Sequence, residues 1–202
     1  MEILSSPTIW TVIVAIAAIV IIPITIRQQK RKELTYEVAS FTIVLKVNAG
    51  KEVKSRVQVL LDGQPVQNAC VVILKIWNSG NVPIKREDFD NNQPLKIYFR
   101  GKTQVLEAEV LETVPGNIGT EAKTSLKLNP ENITIDPLLL NSRDLIVLRI
   151  LVADLFYEDN IRVNARIIGG KIINWKDTEL YKSYLYIKEI GNSRWLNVVS
   201  VF

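Results

Sequence analysis

The sequence predicts a mostly β protein: an N-terminal transmembrane helix followed by one antiparallel β-sandwich, with a small closed β-barrel as the alternative. Three observations predict it. Residues 9–26 (IWTVIVAIAAIVIIPITI) carry no charge and run straight into RQQKRK. Beyond residue 33, Val, Ile, Leu and aromatic side chains recur in short runs that Gly, Pro, Asn and Asp punctuate at intervals of roughly ten residues. No window between residues 33 and 175 sustains the helical period of about 3.6 residues.

A helix rises about 1.5 Å per residue, so residues 9–26 cover roughly 27 Å, close to the hydrocarbon thickness of a bilayer. Trp10 stands at one end, where an interfacial indole is expected, and Pro23 near the other, where a kink is tolerable. A cleaved signal peptide would place its cations before a shorter apolar core. Here the leading MEILSSPT carries only Glu2, while Arg27, Lys30, Arg31 and Lys32 follow the core. The expected divisions are a short extracytoplasmic N-terminus (1–8), the transmembrane helix (9–26), a basic juxtamembrane collar (27–33), the sandwich (34–175) and a C-terminal hairpin or helix packed on it (176–202). Lys and Arg mark the cytoplasmic flank, so the sequence places the C-terminal domain in the cytoplasm of a single-pass protein, with the lipid bilayer as a partner. Each cation near an anionic leaflet adds about 1 kcal/mol of attraction.

Charge narrows the function classes. The 202 residues hold 25 Lys and Arg against 21 Asp and Glu, a net charge of +4. Residues 1–32 account for +3 of it, so the remaining chain is almost neutral. A nucleic-acid partner needs a basic face spread over the folded part, and none is expected. The chain has one cysteine, Cys70, and no histidine. The Ser-His and Cys-His nucleophile pairs and the usual zinc sites are therefore excluded. A lone cysteine forms no intramolecular disulfide, which suits a reducing compartment. The sequence accordingly predicts no metal, no cofactor and no enzymatic activity.

The elements follow in order. Residues 36–47 read as a long strand, and 48–50 (Asn-Ala-Gly) as a turn. Val53, Val57, Val59 and Leu61 mark a second strand, closed by Asp62-Gly63, a hairpin dipeptide. Residues 70–77 (CVVILKIW) are continuously apolar apart from Lys75, as in a strand buried on both sides or close to it. Strands are expected at 95–99 (LKIYF) and at 105–113 (VLEAEVLET), whose acidic face is solvated; 115–119 reads as a loop. Leu126 with Leu128 and Ile133 with Ile135 suggest two short strands around Asn129-Pro130. Residues 145–152 (LIVLRILV) form a central strand. Residues 161–168 (IRVNARII) alternate cleanly, and Gly169-Gly170 turns them so that Ile172-Ile173 pairs back. About eight or nine strands result, as in a sandwich. In the tail, β-branched and aromatic residues favour a hairpin of YLYIKEI and RWLNVVSVF over a helix across 178–189.

The stretch ILKIWNSGNVPI (residues 73–84) resembles the strand–turn pattern of bacterial immunoglobulin-like domains, in which an apolar strand ends in an Asn-x-Gly turn. The layout of a membrane span followed by one sandwich is similar to that of small bacterial membrane proteins. The resemblance implies an immunoglobulin-like fold and no activity.

The candidate sites are few. Asp88-Phe89-Asp90-Asn91-Asn92 spaces oxygens as a calcium loop does, but Gln93 and Phe99 replace the glycine and glutamate such a loop needs, so a polar loop is expected. Cys70 reads as a buried hydrophobe. Arg162 and Arg166, joined by Arg149, form a candidate basic interaction face. Trp195 belongs to a candidate aromatic surface with Tyr36, Tyr157, Tyr181, Tyr184, Tyr186 and Trp175. The function expected is a membrane-anchored module that binds a protein or a ligand. Two alternatives stay open: an outward-facing adhesion or envelope domain, and a tethered enzyme using carboxylates or a lysine.

Overall fold

The computed structural model describes residues 11, 14–16, 29–46, 59–61, 63–90, 93–185 and 188. The chain divides into two compact units, Met1–Arg31 and Lys32–Phe202. In the first, Thr11 and residues 14–16 are helical. The rest of the expected span, with Trp10, Pro23 and Arg27, lies outside the described residues. Among the described residues no helix is long and apolar enough to cross a membrane. The fold class is corrected on this point: the transmembrane helix is not supported, and the location deduced from it has no support in the structure.

The second unit is β throughout most of its length. Its strands are β1 (Lys32–Lys46), β2 (Val59–Leu61), β3 (Gln64–Val66), β4 (Asn68–Asn78), β5 (Leu95–Phe99), β6 (Gln104–Val114), β7 (Leu126–Asn129), β8 (Asn132–Ile135), β9 (Leu145–Ala153), β10 (Ile161–Asn164) and β11 (Gly170–Asn174). They form a five-stranded sheet in the order β11-β1-β4-β9-β6, a four-stranded sheet in the order β10-β5-β8-β7, and the small hairpin β2-β3. One apolar core joins the two larger sheets. Cys70, Val72, Leu74 and Ile76 of β4 and Ile146, Leu148, Ile150 and Val152 of β9 share it with Ile97 of β5, Ile133 of β8 and Val163 of β10. Each such side chain contributes about 1.5–3 kcal/mol when fully buried. β10 and β11 end their sheets without pairing with each other, so the structure is two sheets and not a closed barrel.

Period-two patterning explains the central strands. On β4, inward residues are fully buried and outward ones half-buried along the whole strand. The expectation that this strand is buried on both sides therefore holds for one face only. Lys75 and Trp77 belong to the half-buried outer face. On β6, Glu107, Glu109 and Glu112 face neighbours on β9, and two irregularities in register twist this edge strand, which discourages pairing with another sheet.

The turn after β4 shows why its sequence reads Asn-Ser-Gly. Asn78 is fully buried, and its side-chain oxygen accepts from the Gly80 N–H at 2.9 Å. Its amide donates to the carbonyls of Val82 and Leu140, both at 2.9 Å. One side chain thus ties three backbone segments at that end of the sandwich.

Four further expectations are corrected. The sandwich is not wholly antiparallel, because β11 pairs parallel with β1 from Lys32↔Gly170 to Tyr36↔Asn174. The strand expected over 161–168 stops at Asn164: Arg166 and Ile168 instead bond residues 88–90, through Asp90 N–H to Arg166 O (3.0 Å) and Ile168 N–H to Asp88 O (2.8 Å). This peels the chain off β10 and delivers it to β1. Residues Gly119–Ser125 form a short helix where no helical period was seen, its inner side holding Ala122 and Ser125. Finally, residues 179–185 and 188 are helical, whereas a hairpin strand was expected over residues 184–190. The Thr178 hydroxyl accepts from the Tyr181 N–H at 3.2 Å, an N-cap that starts this helix. The proposed second strand, with Trp195, lies outside the described residues.

Candidate functional site

β11 joins β1, so among the described residues no strand lies beside the outer edge of β10, and a polar cleft opens along this seam. Its volume is about 420 Å3, and it is lined by Tyr36 of β1, Arg162, Val163 and Asn164 of β10, Ile172 and Asn174 of β11, and Asp159, Lys176 and Asp177 of the flanking turns. That size falls within the range of about 300–1,000 Å3 typical of small-molecule sites.

Side chains do the work of the missing strand. Tyr36 is inward-facing and only 5% exposed. Its phenolic oxygen faces the Val163 backbone N–H and the Arg162 guanidinium, both of which favour its ionised form. Arg162 donates from Nη1 to the carbonyl of Ile161 at 3.0 Å. A backbone carbonyl that a neighbouring strand would satisfy is thus satisfied locally. Burial pushes the Tyr36 hydroxyl above its ordinary range, helped by the charge of Asp177 and opposed by Arg162 and Val163. Tyr36 therefore stays protonated.

The rim is ionic. Lys176 pairs with Glu158. Burial lowers its affinity for a proton, but the bond to Glu158 and the nearby carboxylate charges of Glu158 and Asp159 outweigh this, and its ammonium is held above the usual lysine range. The Asn174 side chain accepts from the Lys176 N–H at 3.1 Å, which starts the 3-10 turn Trp175–Asp177. Asn164, Asp159 and Asp177 are exposed.

The residues singled out in the sequence are dispersed. Arg162 is in the seam. Arg166 is exposed and pairs with Asp90 at 3.5 Å, and Arg149 pairs with Glu109 at 2.8 Å on the outer face of the other sheet. The three arginines do not form one basic face. Of the aromatic set, Tyr36 is in the core, Tyr157 and Tyr184 are exposed, and Trp175 packs edge-on against Trp77 with ring centroids 5.9 Å apart. Trp77 was not among the candidates. Tyr186 and Trp195 lie outside the described residues.

In the supposed calcium loop, Asp88 accepts from Lys32 at 2.5 Å and from the Lys85 N–H at 2.8 Å, Phe89 is a core residue, and Asn91 and Asn92 lie outside the described residues. Among the described residues no three His, Cys, Asp or Glu side chains are grouped to hold a metal ion. Cys70 is buried, its thiol donating to the Leu155 carbonyl at 3.1 Å, and burial pushes its pKa up.

Of the collar, Lys30 and Arg31 are exposed, whereas Lys32 is the first residue of β1. Tyr36, Asn174 and Lys176 were missed as a group because they meet only through the parallel β1–β11 pairing.

A comparison with known protein families and with curated proteins finds no match for this chain.

Proposed function

We propose that the second unit is a non-catalytic, immunoglobulin-like binding module whose seam between β10 and β11 takes a polar ligand. One observation carries this reading: polar side chains from two sheets and two turns converge on a single cleft of ligand size. The strand order favours the immunoglobulin-like assignment. β1-β4-β9-β6 follows the order A-B-E-D of that fold, while β5 and β10 take the places of C and F in the second sheet. The β7-β8 hairpin is an insertion between D and E, and β11 occupies the place of G but pairs with A.

The absence of histidine and the protonated, buried state of Cys70 favour binding over catalysis.

The test is a thermal-shift survey of the full chain against small polar compounds. A ligand at 100 times its Kd adds about 2.7 kcal/mol, or roughly 5–11 °C in Tm for a domain of this size. Arg162→Gln and Asn164→Ala should each shrink the shift, and the two combined should abolish it. Shifts that survive both substitutions would place the binding elsewhere and defeat the proposal.

A second reading, a carboxylate-dependent enzyme, is favoured by the presence of Asp159 and Asp177 in the same cleft. Both are solvent-exposed, whereas a general acid at neutral pH needs a desolvated setting. Turnover of any ligand found, lost in Asp159→Asn or Asp177→Asn, would establish this reading instead.

A further inference from the structure

We infer that the seam is built for a small zwitterion, a ligand carrying a free carboxylate and a free ammonium group, as in an amino acid or short peptide. This rests on the seam being the binding site. It comes from the distribution of charge within the cleft.

Arg162 is half-buried, and among the described residues no carboxylate lies within ion-pairing distance of it. It donates to a neutral oxygen, the Ile161 carbonyl, and the Tyr36 hydroxyl lies beside it. A guanidinium has five N–H donors, so donors are left for a ligand. Cations in such a position ordinarily have a counter-ion. A ligand carboxylate supplies one, in the bidentate geometry that arginine favours.

The other lining charges reject a simple polyanion. Asp159 and Asp177 both line the cleft, and neither forms an ion pair among the described residues. Lys176, the second cation, is already neutralised by Glu158. A phosphate would meet one available cation and two carboxylates. A zwitterion meets one of each sign: its carboxylate at Arg162, toward the buried Tyr36, and its ammonium at the exposed acids of the rim. The amides of Asn164 and Asn174 also line the cleft and suit a peptide group. The apolar lining is limited to Val163, Ile172 and the ring of Tyr36, so the charged ends would dominate recognition.

Calorimetric titration of the full chain separates the contributions with four probes: glycylglycine, N-acetylglycylglycine, glycylglycine amide and inorganic phosphate. Glycylglycine should bind at least tenfold more tightly than either capped form, and phosphate more weakly still. Arg162→Gln should erase the advantage of the free carboxylate while keeping that of the free amine. The double change Asp159→Asn with Asp177→Asn should do the reverse. Equal binding of free and capped dipeptides, or binding of none of the four probes, would overturn the zwitterion assignment. Phosphate binding that is lost in Arg162→Gln would also overturn it while leaving the seam as the site. Glycylglycine binding that persists unchanged in all variants would overturn both.

Discussion

Replacing Lys32 by Met tests whether this residue belongs to a basic collar or to the fold. Its ammonium lies 2.5 Å from Asp88 Oδ1, with side-chain exposures of 26% and 12%. Asp88 in turn accepts from the Lys85 N–H, and its backbone carbonyl accepts from Ile168, so the pair ties the start of β1 to the segment that steers β11 toward it. Exposed ion pairs are worth about 0.2–1 kcal/mol, while removing one partner of a buried pair costs about 3–5 kcal/mol. A pair this shielded falls between them, at about 2 kcal/mol. For a domain of this size that lowers Tm by roughly 4–8 °C, measured by far-ultraviolet circular dichroism at pH 7. Lys30→Met should change Tm by less than about 1 °C, within the usual range for surface substitutions. The pH dependence supplies a second check. Burial alone would raise the Asp88 pKa, but the Lys32 and Lys85 contacts outweigh it and hold the carboxyl below its usual range. A depressed folded pKa gives stability that is present above the unfolded value, near pH 4, and lost as pH falls through the folded value. The gap between wild type and Lys32→Met should therefore close below pH 4. A Tm change under 1 °C at pH 7, or a gap as wide at pH 3 as at pH 7, refutes the structural role.

Three other expectations are as direct. Folding raises the pKa of Cys70 and of Tyr36, chiefly through burial. The folded state then holds these protons longer than the unfolded one, so stability falls as pH rises above about 8.5 for the thiol and about 10 for the phenol. In melting curves from pH 8 to 11, Cys70→Ala should flatten the first part of the decline. Asn78→Ala leaves the Val82 and Leu140 carbonyls without a side-chain donor and should cost about 3 kcal/mol by urea denaturation. Asn78→Asp should cost more, since it removes the same donors and buries a charge. In Gly170→Ala the added Cβ would lie 2.7 Å from Ile167 Cγ2 and 3.1 Å from Lys32 Cβ, and the crowding should cost about 1–3 kcal/mol by the same measurement.

Local pattern carried much of the fold. LKIYF matches β5 residue for residue, and the alternation of 105–113 and the apolar run of 145–152 locate β6 and β9 to within a residue at either end. β5 buries alternate residues, a period of two visible without knowing the partner, while β9 was legible as an apolar run. The helix Gly119–Ser125 was hidden because seven residues make only two turns and its inner contacts are Ala and Ser. The helix after Thr178 had its signal in place, a capping Thr followed by Glu179, but Tyr and Leu in the same stretch outweighed it in the strand reading. The seam was illegible for a different reason. Tyr36 and Arg162 are distant in sequence, and nothing local in residues 170–174 says that they pair with β1 in parallel rather than back on β10. Each cleft residue has an ordinary local explanation, and only the topology brings them together.

That topology also accounts for why the cleft is polar. A strand that leaves its expected neighbour exposes a backbone edge, and buried backbone groups left unpaired cost free energy comparable to a lost hydrogen bond. Here the exposed edge is β10, and the group that bonds it is the Arg162 guanidinium, with the Tyr36 phenol beside it. An apolar residue in place of Arg162 would fill the space yet leave the Ile161 C=O without that partner. The same two side chains then give the seam a polar floor and a cation that forms no ion pair among the described residues. Closing the edge and furnishing the cleft are therefore one structural solution, and a substitution such as Arg162→Gln should disturb both. Binding and stability need to be measured on the same variant to tell which loss came first.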